Sequence, residues 1–420
     1  MQKKIVALAV AGLSTAAFAQ TNVTIYGVAD VSGQGFNQSS VKNQPANVNY
    51  GGNTFNLQSN SSLIGFKGTE DLGNGVKALF QAETTLNLTG QQAVATPADG
   101  GGAKSLGGAA YGSGNSVFGA LRDTYVGVDS KYGAAMAGYL STPIRSTLTS
   151  FDVMPGATGS SQIDKQMTAM RLGGTIGATQ FQTAIRATAI AYAMPTLYGF
   201  NGSIAYTGSN NNGTTNTTAG YLCSGADTSA CSVAPQSAWG MNLGWTGYGV
   251  NIAGAFQQNN NNVAPVTGTN IGNFGDYTSY LLGAGYTGIA GLKLSTAYIR
   301  NTLGTNGTTV ITQSGAGKLT NNQLYAGASY RMGNWEPRVS ATWSSDVNGS
   351  NVQQLGSRQW TANVGYYLSK RTQVYGLVSN LNNSANQTYT FGQQTSNLGV
   401  PAGTAGSNLF TYGAGLRTTF

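Results

Sequence analysis

Few residues in this chain of 420 amino acids could do chemistry, and their types exclude most reaction classes. The sequence contains no histidine, so Ser-His and Cys-His nucleophilic sites and His-ligated zinc or haem are ruled out. The adjacent carboxylates Glu70 and Asp71 fall in a predicted turn and lack the partner groups that a glycosidase needs. We therefore expect no enzyme activity, no metal site and no cofactor.

The only two cysteines, Cys223 and Cys231, lie in a stretch rich in Ser, Thr and Asn. Two thiols with no other soft ligand nearby argue against a metal site or a redox site. In an exported protein, such a pair is typical of a local disulfide. We predict that Cys223 and Cys231 form a disulfide that staples a surface loop.

Further charged residues occur in the segment from Ser141 to Ala184, which shows no hairpin pattern. A connection this long is usually functional or disordered. It mixes charged with apolar side chains: Arg145, Asp152, Asp164, Lys165 and Arg171 with Phe151, Met154 and Met170. The apolar residues favour a segment folded inward as a constriction, with a disordered or surface-packed loop as the alternative.

The chain begins with the pattern of a secretory leader. Lys3 and Lys4 precede the apolar run from Ile5 to Leu13, and Ala17-Phe18-Ala19 has the form of a cleavage site. The apolar run is too short to span a bilayer as a helix. We expect residues 1–19 to be a signal peptide and residues 20–420 to form one domain.

The elements that must position these side chains read as strands. Charged residues make up only 8% of the chain, and no apolar run after the leader approaches the length of a membrane helix. A membrane-spanning chain of this kind must be a closed barrel, because closure satisfies every strand hydrogen bond in lipid. Seven short turns are predicted at 72–75, 131–133, 195–199, 247–249, 288–291, 332–334 and 368–372.

Seven hairpins, with a first strand near Val23 to Val31 and a last strand from Leu409 to Phe420, give sixteen strands. This even number can close into an antiparallel transmembrane β-barrel with room for water inside. The last strand places Phe410, Tyr412, Leu416 and Phe420 on one face, suited to hydrocarbon. Thr411 and Arg417 lie on the other. Tyrosines near strand ends are predicted to form interfacial girdles, for example Tyr366, Tyr367 and Tyr375.

The same composition would also suit a secreted β-solenoid or an adhesive surface protein. A solenoid should show a fixed short repeat. The turns in this chain lie at unequal separations, and the polar segments between them differ greatly in length. This irregularity favours the barrel.

Several stretches carry a resemblance that runs from the leader junction to the last residue. They are Val23 to Asp30, Ile64 to Gly73, Val76 to Glu83, Tyr125 to Val128, Tyr367 to Tyr375, and Gly415 to Arg417 with Phe420. Together they resemble the trimeric general porins of Gram-negative bacteria, particularly the betaproteobacterial type. Each stretch alone would be weak, but as a set they are specific.

The resemblance implies a sixteen-stranded barrel with short periplasmic turns, long extracellular loops and a third loop folded inward. It also implies a homotrimer in the cell outer membrane, surrounded by lipid and lipopolysaccharide, with Phe420 read by the barrel-assembly machinery. The implied function is passive diffusion of small hydrophilic solutes and ions. No nucleic-acid partner is expected, because the few Lys and Arg residues do not suit such a surface.

Candidate pore-lining residues follow from the resemblance and from strand alternation. Arg122 occupies the place of a wall arginine that faces the third loop in the family. The full set of candidates is Lys67, Lys77, Arg122, Arg145, Asp152, Asp164 and Arg171.

Three positions that are usually basic in the family carry other residues here, namely Leu63, Tyr139 and Ala191. The expected anion preference is therefore weak, although the chain carries a net charge of +8. The alternatives are a channel selective for one solute and a barrel that acts at the surface through its extracellular loops.

Overall fold

The computed structural model describes residues 22–41, 53–89, 117–154, 163, 167–172, 180–208, 237–260, 275–305, 317–391 and 405–420. Strands in the first half of the chain are β1 (Asn22–Val41), β2 (Asn53–Ser59), β3 (Leu63–Gly73), β4 (Val76–Leu86), β5 (Phe118–Leu121), β6 (Thr124–Ser130), β7 (Gly133–Ser141), β8 (Ala169–Arg171), β9 (Gln180–Gln182), β10 (Arg186–Ala193) and β11 (Phe200–Thr207). The second half contains β12 (Ser237–Gly247), β13 (Val250–Asn260), β14 (Tyr277–Tyr286), β15 (Leu292–Gly304), β16 (Lys318–Tyr330), β17 (Trp335–Ser344), β18 (Ser357–Tyr367), β19 (Thr372–Asn383) and β20 (Ser407–Thr419). A short helix, α1 (Pro143–Ser150), follows β7. Within these ranges, no helix has the length and apolar character needed to cross a bilayer.

The strands form a closed antiparallel barrel of sixteen wall positions, as predicted. β2 and β3 lie end to end along β1, and β5 and β6 lie end to end along β4, so each pair fills one position. β8 and β9 pair with each other in a separate two-stranded sheet. The ring closes where β20 pairs with β19 on one side and with β1 on the other.

The first strand is longer than the sequence indicated. It was predicted over Val23 to Val31, whereas β1 runs from Asn22 to Val41. Its second half pairs with β2 on one side and with β20 on the other. Because both edges are hydrogen-bonded, the extension needs no strong apolar pattern of its own.

Short connections between neighbouring strands fall at the seven predicted turn positions. The link between β3 and β4 shows the local cause, since Asn74 (φ 54°) and Gly75 (φ 76°) both adopt left-handed backbone angles. A two-residue hairpin turn whose twist matches the strands requires this conformation, and Asn-Gly adopts it at low cost.

Side chains alternate between an apolar outer face and a polar inner face. On β18, Trp360 is 47% exposed, whereas its neighbours Gln359 and Thr361 are buried and hydrogen-bond to the Ser379 hydroxyl at 3.0 and 2.7 Å. This alternation is typical of a barrel with lipid outside and a polar interior.

On the last strand, Tyr412, Leu416 and Phe420 are exposed on the outer face. The prediction of an outer girdle is wrong for Tyr367 and Tyr375. The Tyr375 side chain is buried, and its hydroxyl donates to a carboxylate on β1 at 2.7 Å. The Tyr367 hydroxyl donates to the Glu336 carboxylate at 2.7 Å. Both tyrosines point inward because they alternate in step with the polar residues of their strands.

An arginine at Leu416 is expected to impair assembly, because a cation at the lipid-facing midplane costs about 2–4 kcal/mol. The matched control is Thr69→Arg, since Thr69 is exposed on β3 with the inward parity of Lys67. Folding yield into vesicles should fall for Leu416→Arg and stay near the unaltered level for the control. Equal yields would contradict the assignment of the two faces.

Candidate functional site

The connection between β7 and β10 lies against the inner face of the wall. It begins with α1, where Pro143 occupies the first turn, a position that tolerates its missing N–H. Buried Ile144 and Leu148 of α1 pack in one cluster with Leu281, Ile299 and Tyr325 on β14–β16. These inner-face positions are apolar because the connection, and not water, covers them.

The chain after α1 is held by hydrogen bonds from three side chains of two wall strands, β15 and β16. The Ser295 hydroxyl donates to the Phe151 carbonyl at 2.6 Å, and the Lys293 ammonium donates to the Asp152 carbonyl at 2.5 Å. The Tyr325 hydroxyl accepts from the Val153 N–H at 3.0 Å and donates to the Asp152 carboxylate at 3.3 Å. The Asp152 side chain is therefore occupied in anchoring the connection.

The backbone of β14 and the aromatic ring of Phe151 in the connection approach each other closely. A β-carbon added at Gly283 of β14 would lie 2.2 Å from the Phe151 ring. Only glycine leaves room for the ring at this point of the wall. Gly283 therefore sets how deeply the connection seats against β14.

The next part of the connection, around β8 and β9, is bound as firmly. Gln323 of β16 accepts from the Thr168 N–H at 2.7 Å and donates to the Ala169 carbonyl at 2.6 Å. The Tyr277 hydroxyl donates to the Thr168 carbonyl at 3.0 Å. The Tyr389 hydroxyl, from the chain that follows β19, donates to the Ala169 carbonyl at 2.8 Å.

Arg145 and Arg171, predicted to line the interior, are instead buried. Arg145 donates to the Ala184 carbonyl at 3.1 Å. Arg171 donates to the Thr388 carbonyl at 2.8 Å, and its guanidinium lies 5.3 Å from the centre of the Tyr389 ring. Burial raises the pKa of the Tyr389 hydroxyl, which keeps that group a neutral donor. Both arginines fasten the connection.

A charged cluster lies on the inner face of β1–β5. The Arg122 guanidinium contacts the Glu83 carboxylate, and the Tyr26 hydroxyl donates to the same carboxylate at 3.1 Å. The Lys67 ammonium lies 5.1 Å from the centre of the Tyr26 ring, and the Lys67 side chain is exposed. Arg122 is thus paired, whereas Lys67 presents its charge to water.

The two ends of the connection are tied together by a second ion pair. Arg186, at the start of β10, lies 3.2 Å from the Asp123 carboxylate. That carboxylate also accepts from the backbone N–H and the hydroxyl of Ser141, at 2.5 and 3.1 Å. Sequence reasoning did not identify Arg186, although its place directly after the long segment was a usable signal.

The interior also contains charged groups that were not predicted as site residues. Arg417 lies 3.1 Å from the Asp30 carboxylate, and Arg338 lies 2.6 Å from the Glu336 carboxylate. Strand alternation had already placed Arg417 on the polar face. The carboxylate partners could not be found this way, because pairing depends on the register of strands far apart in sequence.

The remaining predicted residues divide into two groups. Lys77 is exposed on β4 and stands opposite Asp71 and Asp129 in register. Asp164, Cys223 and Cys231 lie outside the described residues. Across the described part of the chain, no group of three or more His, Cys, Asp or Glu side chains could hold a metal ion.

Two of the three uncharged positions singled out from the sequence lie on the inner face by alternation. Leu63 shares the parity of Lys67 on β3, and Ala191 stands opposite Met136 and Ala205 in register. Both positions leave this part of the wall uncharged.

Comparison with protein families gives one match over most of the chain. The model described as Gram-negative porin matches residues 6–387. The major outer membrane protein P.IB of Neisseria gonorrhoeae is 27% identical over 213 residues, covering 51% of this chain and 50% of the relative. Outer membrane porin protein 32 of Delftia acidovorans is 31% identical over 207 residues, covering 49% of each. The chain spans about half the length of these curated relatives.

Solved structures extend the likeness over the whole barrel. The anion-selective porin from Comamonas acidovorans superposes with a TM-score of 0.65 at 21% identity, covering 96% of this chain and 100% of that one. Salmonella typhi OmpF gives a TM-score of 0.57 at 15% identity, covering 95% and 97%. At these identities the likeness shows a common fold.

Proposed function

Because the chain belongs to the Gram-negative porin family, we propose that it forms a water-filled channel through the outer membrane. Small hydrophilic solutes and ions would cross it by passive diffusion, with a rate set by the pore radius and the lining charge. The observation that supports this best is the inner face of the closed wall. It carries exposed Lys67 on one side and the anchored connection between β7 and β10 on another.

We propose that the segment from Ser141 to Ala184 is the constriction of this channel. Its support is the set of wall contacts that hold it across β12–β16, from Asn242 and Asn259 to Lys293 and Tyr325. In this proposal Arg145, Asp152 and Arg171 act as anchors of the constriction, and solute contact falls to the wall residues opposite.

The proposed ion preference is weak and favours anions. The carboxylates of Glu83, Asp123 and Asp30 are each paired with an arginine, whereas the Lys67 side chain is exposed. The uncharged Leu63 and Ala191 reduce the preference. The structural relative from Comamonas acidovorans is named an anion-selective porin, which agrees with the proposed sign.

The partners are also proposals. We infer a homotrimer with lipid and lipopolysaccharide around the barrel. A structurally similar protein, OmpT of Vibrio cholerae, is described in a trimer form. Phe420 would be read by the barrel-assembly machinery after removal of residues 1–19. Support for a role in assembly is that the Phe420 ring is exposed and that its backbone forms hydrogen bonds with Gly27 of β1, at 3.0 and 3.1 Å.

The decisive experiment is single-channel recording in a planar bilayer under a salt gradient. The proposal predicts discrete current steps and a small reversal potential with the sign of anion preference. Folded protein that inserts into the bilayer and passes no current would contradict the channel.

A Lys67→Glu variant is expected to reverse the ion preference. Exchanging one charge sign at about 5 Å from a passing ion changes the interaction by about 1–2 kcal/mol in water, or roughly 5- to 30-fold in the permeability of that ion. The reversal potential under the same gradient measures this change. Lys131→Glu makes the same exchange in the short turn between β6 and β7 and should leave the ratio near its original value.

A further inference from the structure

One strip of the inner face departs from the polar pattern of the wall. Leu79 of β4, Met136 of β7 and Ala191 of β10 stand in one cross-strand row, with Gly127 of β6 between the first two. A β-carbon added at Gly127 would lie 3.0 Å from both the Leu79 and the Met136 side chains. These two side chains therefore meet over the glycine. Leu79, Met136 and Ala191 form what we call the apolar strip.

The apolar strip faces water, unlike the apolar inward residues of β14 and β15. Leu281 and Ile299 are 4% and 0% exposed, because the connection between β7 and β10 covers them. The three residues of the strip are only half-buried. Uncovered apolar side chains in a polar interior offer a surface on which an apolar group of a solute can leave water.

Charged groups border the strip on two sides and differ in how they are compensated. In the row nearer the short turns, Lys77 stands opposite Asp71 and Asp129, which balance its charge. In the row on the other side, Lys67 stands opposite the neutral Gln81, and its side chain is exposed. An anionic group of a solute is therefore favoured beside Lys67 and disfavoured beside Lys77.

The distances between these groups limit the size of the solute. Lys67 is a diagonal neighbour of Leu79 across β3 and β4, and such neighbours lie about 7–8 Å apart. The strip extends for about 14 Å over four adjacent strands. These lengths fit a carboxylate beside Lys67 and one aromatic ring or short alkyl chain on Leu79 and Met136. Glu83, one row beyond Lys67, contacts Arg122 and so adds no uncompensated charge.

We propose that Lys67 and the apolar strip bind small organic acids with an apolar body, such as phenylacetate, as they cross the channel. The carboxylate contacts the Lys67 ammonium, and the ring lies on Leu79 and Met136 over Gly127. Binding is weak, because a conducting site must also release its solute. The site depends on the proposed channel function, to which it adds a solute class.

The test is single-channel recording of chloride current through the full-length folded protein while sodium phenylacetate or sodium acetate is added. Phenylacetate should reduce the chloride current with saturation, at a half-saturating concentration about tenfold below that of acetate. A tenfold difference corresponds to about 55 Å² of apolar surface removed from water, roughly one face of the ring.

Variants separate the contribution of the strip from that of the charge. Met136→Gln and Leu79→Gln should each raise the half-saturating concentration of phenylacetate about fivefold and leave that of acetate unchanged. Met136→Leu, which keeps an apolar side chain, should restore phenylacetate binding. Lys67→Gln should raise both concentrations about fourfold, because it removes one charge at about 5 Å in water. The matched control is Val28→Thr, on the inner face of β1 opposite Leu63, which should change neither value.

Equal half-saturating concentrations for phenylacetate and acetate would overturn the proposal. So would glutamine variants of the strip that bind phenylacetate as tightly as the unaltered protein does. The two glutamine variants lie on separate strands, so one decides the matter if the other fails to insert. A protein that conducts chloride without distinguishing the two acids would keep the channel and lose the site. Absence of current in plain salt would contradict the channel, and the site with it.

Discussion

An Arg171→Ala variant is expected to show brief current fluctuations about 10- to 100-fold more frequent than those of the unaltered protein. Arg171 joins the connection between β7 and β10 to the chain after β19, through the Thr388 carbonyl and the Tyr389 ring. A hydrogen bond from a charged donor contributes about 1.5–3 kcal/mol. Losing it should shift the balance between the seated and released connection by that factor.

Single-channel recording at fixed voltage measures this effect, and a Tyr389→Phe variant provides the control. The phenylalanine keeps an aromatic ring beside Arg171 and removes only the hydroxyl that donates to the Ala169 carbonyl. We expect a smaller change, because one neutral hydrogen bond contributes about 1 kcal/mol. If Arg171→Ala gave quiet current identical to that of the unaltered protein, the arginine would not hold the connection in place.

The barrel itself was predictable from local signals. A turn such as Asn74-Gly75 predicts a hairpin from its residue types alone, because few other residue pairs adopt left-handed backbone angles at low cost. Strand alternation then assigned Lys67 and Arg417 to the polar face. Counting the predicted hairpins led to sixteen strands. An even number of strands can close into a ring in which every neighbouring pair is antiparallel, and β1 and β20 form the closing pair.

Contacts across the interior were beyond the reach of such signals. Leu281, Ile299 and Tyr325 occupy inward positions on β14–β16, where a polar face was expected. Alternation specifies a face but not what covers it. Here the cover is a connection that lies more than 100 residues earlier in the chain, as the bond between Val153 and Tyr325 shows.

The burial of Arg145 and Arg171 has the same origin. Sequence placed both in an inward-folded segment, and a charged side chain there was interpreted as solvent-facing. The structure instead gives each arginine a backbone carbonyl to bind. A buried arginine needs hydrogen-bond acceptors within the protein, and these two carbonyls lie in parts of the chain that no local pattern connects to the arginines.

An Arg417→Leu variant is expected to lower the free energy of unfolding by about 3–5 kcal/mol, because it leaves the buried Asp30 carboxylate without its cation. Asp30 has no exposed surface. The Arg417 guanidinium lies 3.1 Å from it, and the Tyr375 hydroxyl donates to it at 2.7 Å. Urea unfolding of the protein in vesicles, followed by tryptophan fluorescence, measures the change.

Two further variants show whether a lost charge pair causes the loss of stability. Arg331→Leu removes a partly exposed arginine that lies 3.8 Å from the Glu336 carboxylate and should cost no more than about 1 kcal/mol. Combining Arg417→Leu with Asp30→Asn removes the uncompensated charge and should recover most of the loss. A double variant as unstable as Arg417→Leu alone would show that packing, and not charge, stabilises this part of the wall.

The size of the effect follows from where the pair lies. Asp30 and Arg417 are register partners across the junction of β1 and β20, the contact by which the two ends of the chain close the ring. Closing a loop of this length is entropically costly and comes late in assembly. An open sheet has two unpaired edges in lipid, and the closed barrel has none. A buried ion pair at the junction therefore stabilises the closed barrel relative to the open sheet. We expect Arg417→Leu to slow barrel closure as well as to lower stability, and Arg331→Leu to leave the closure rate unchanged.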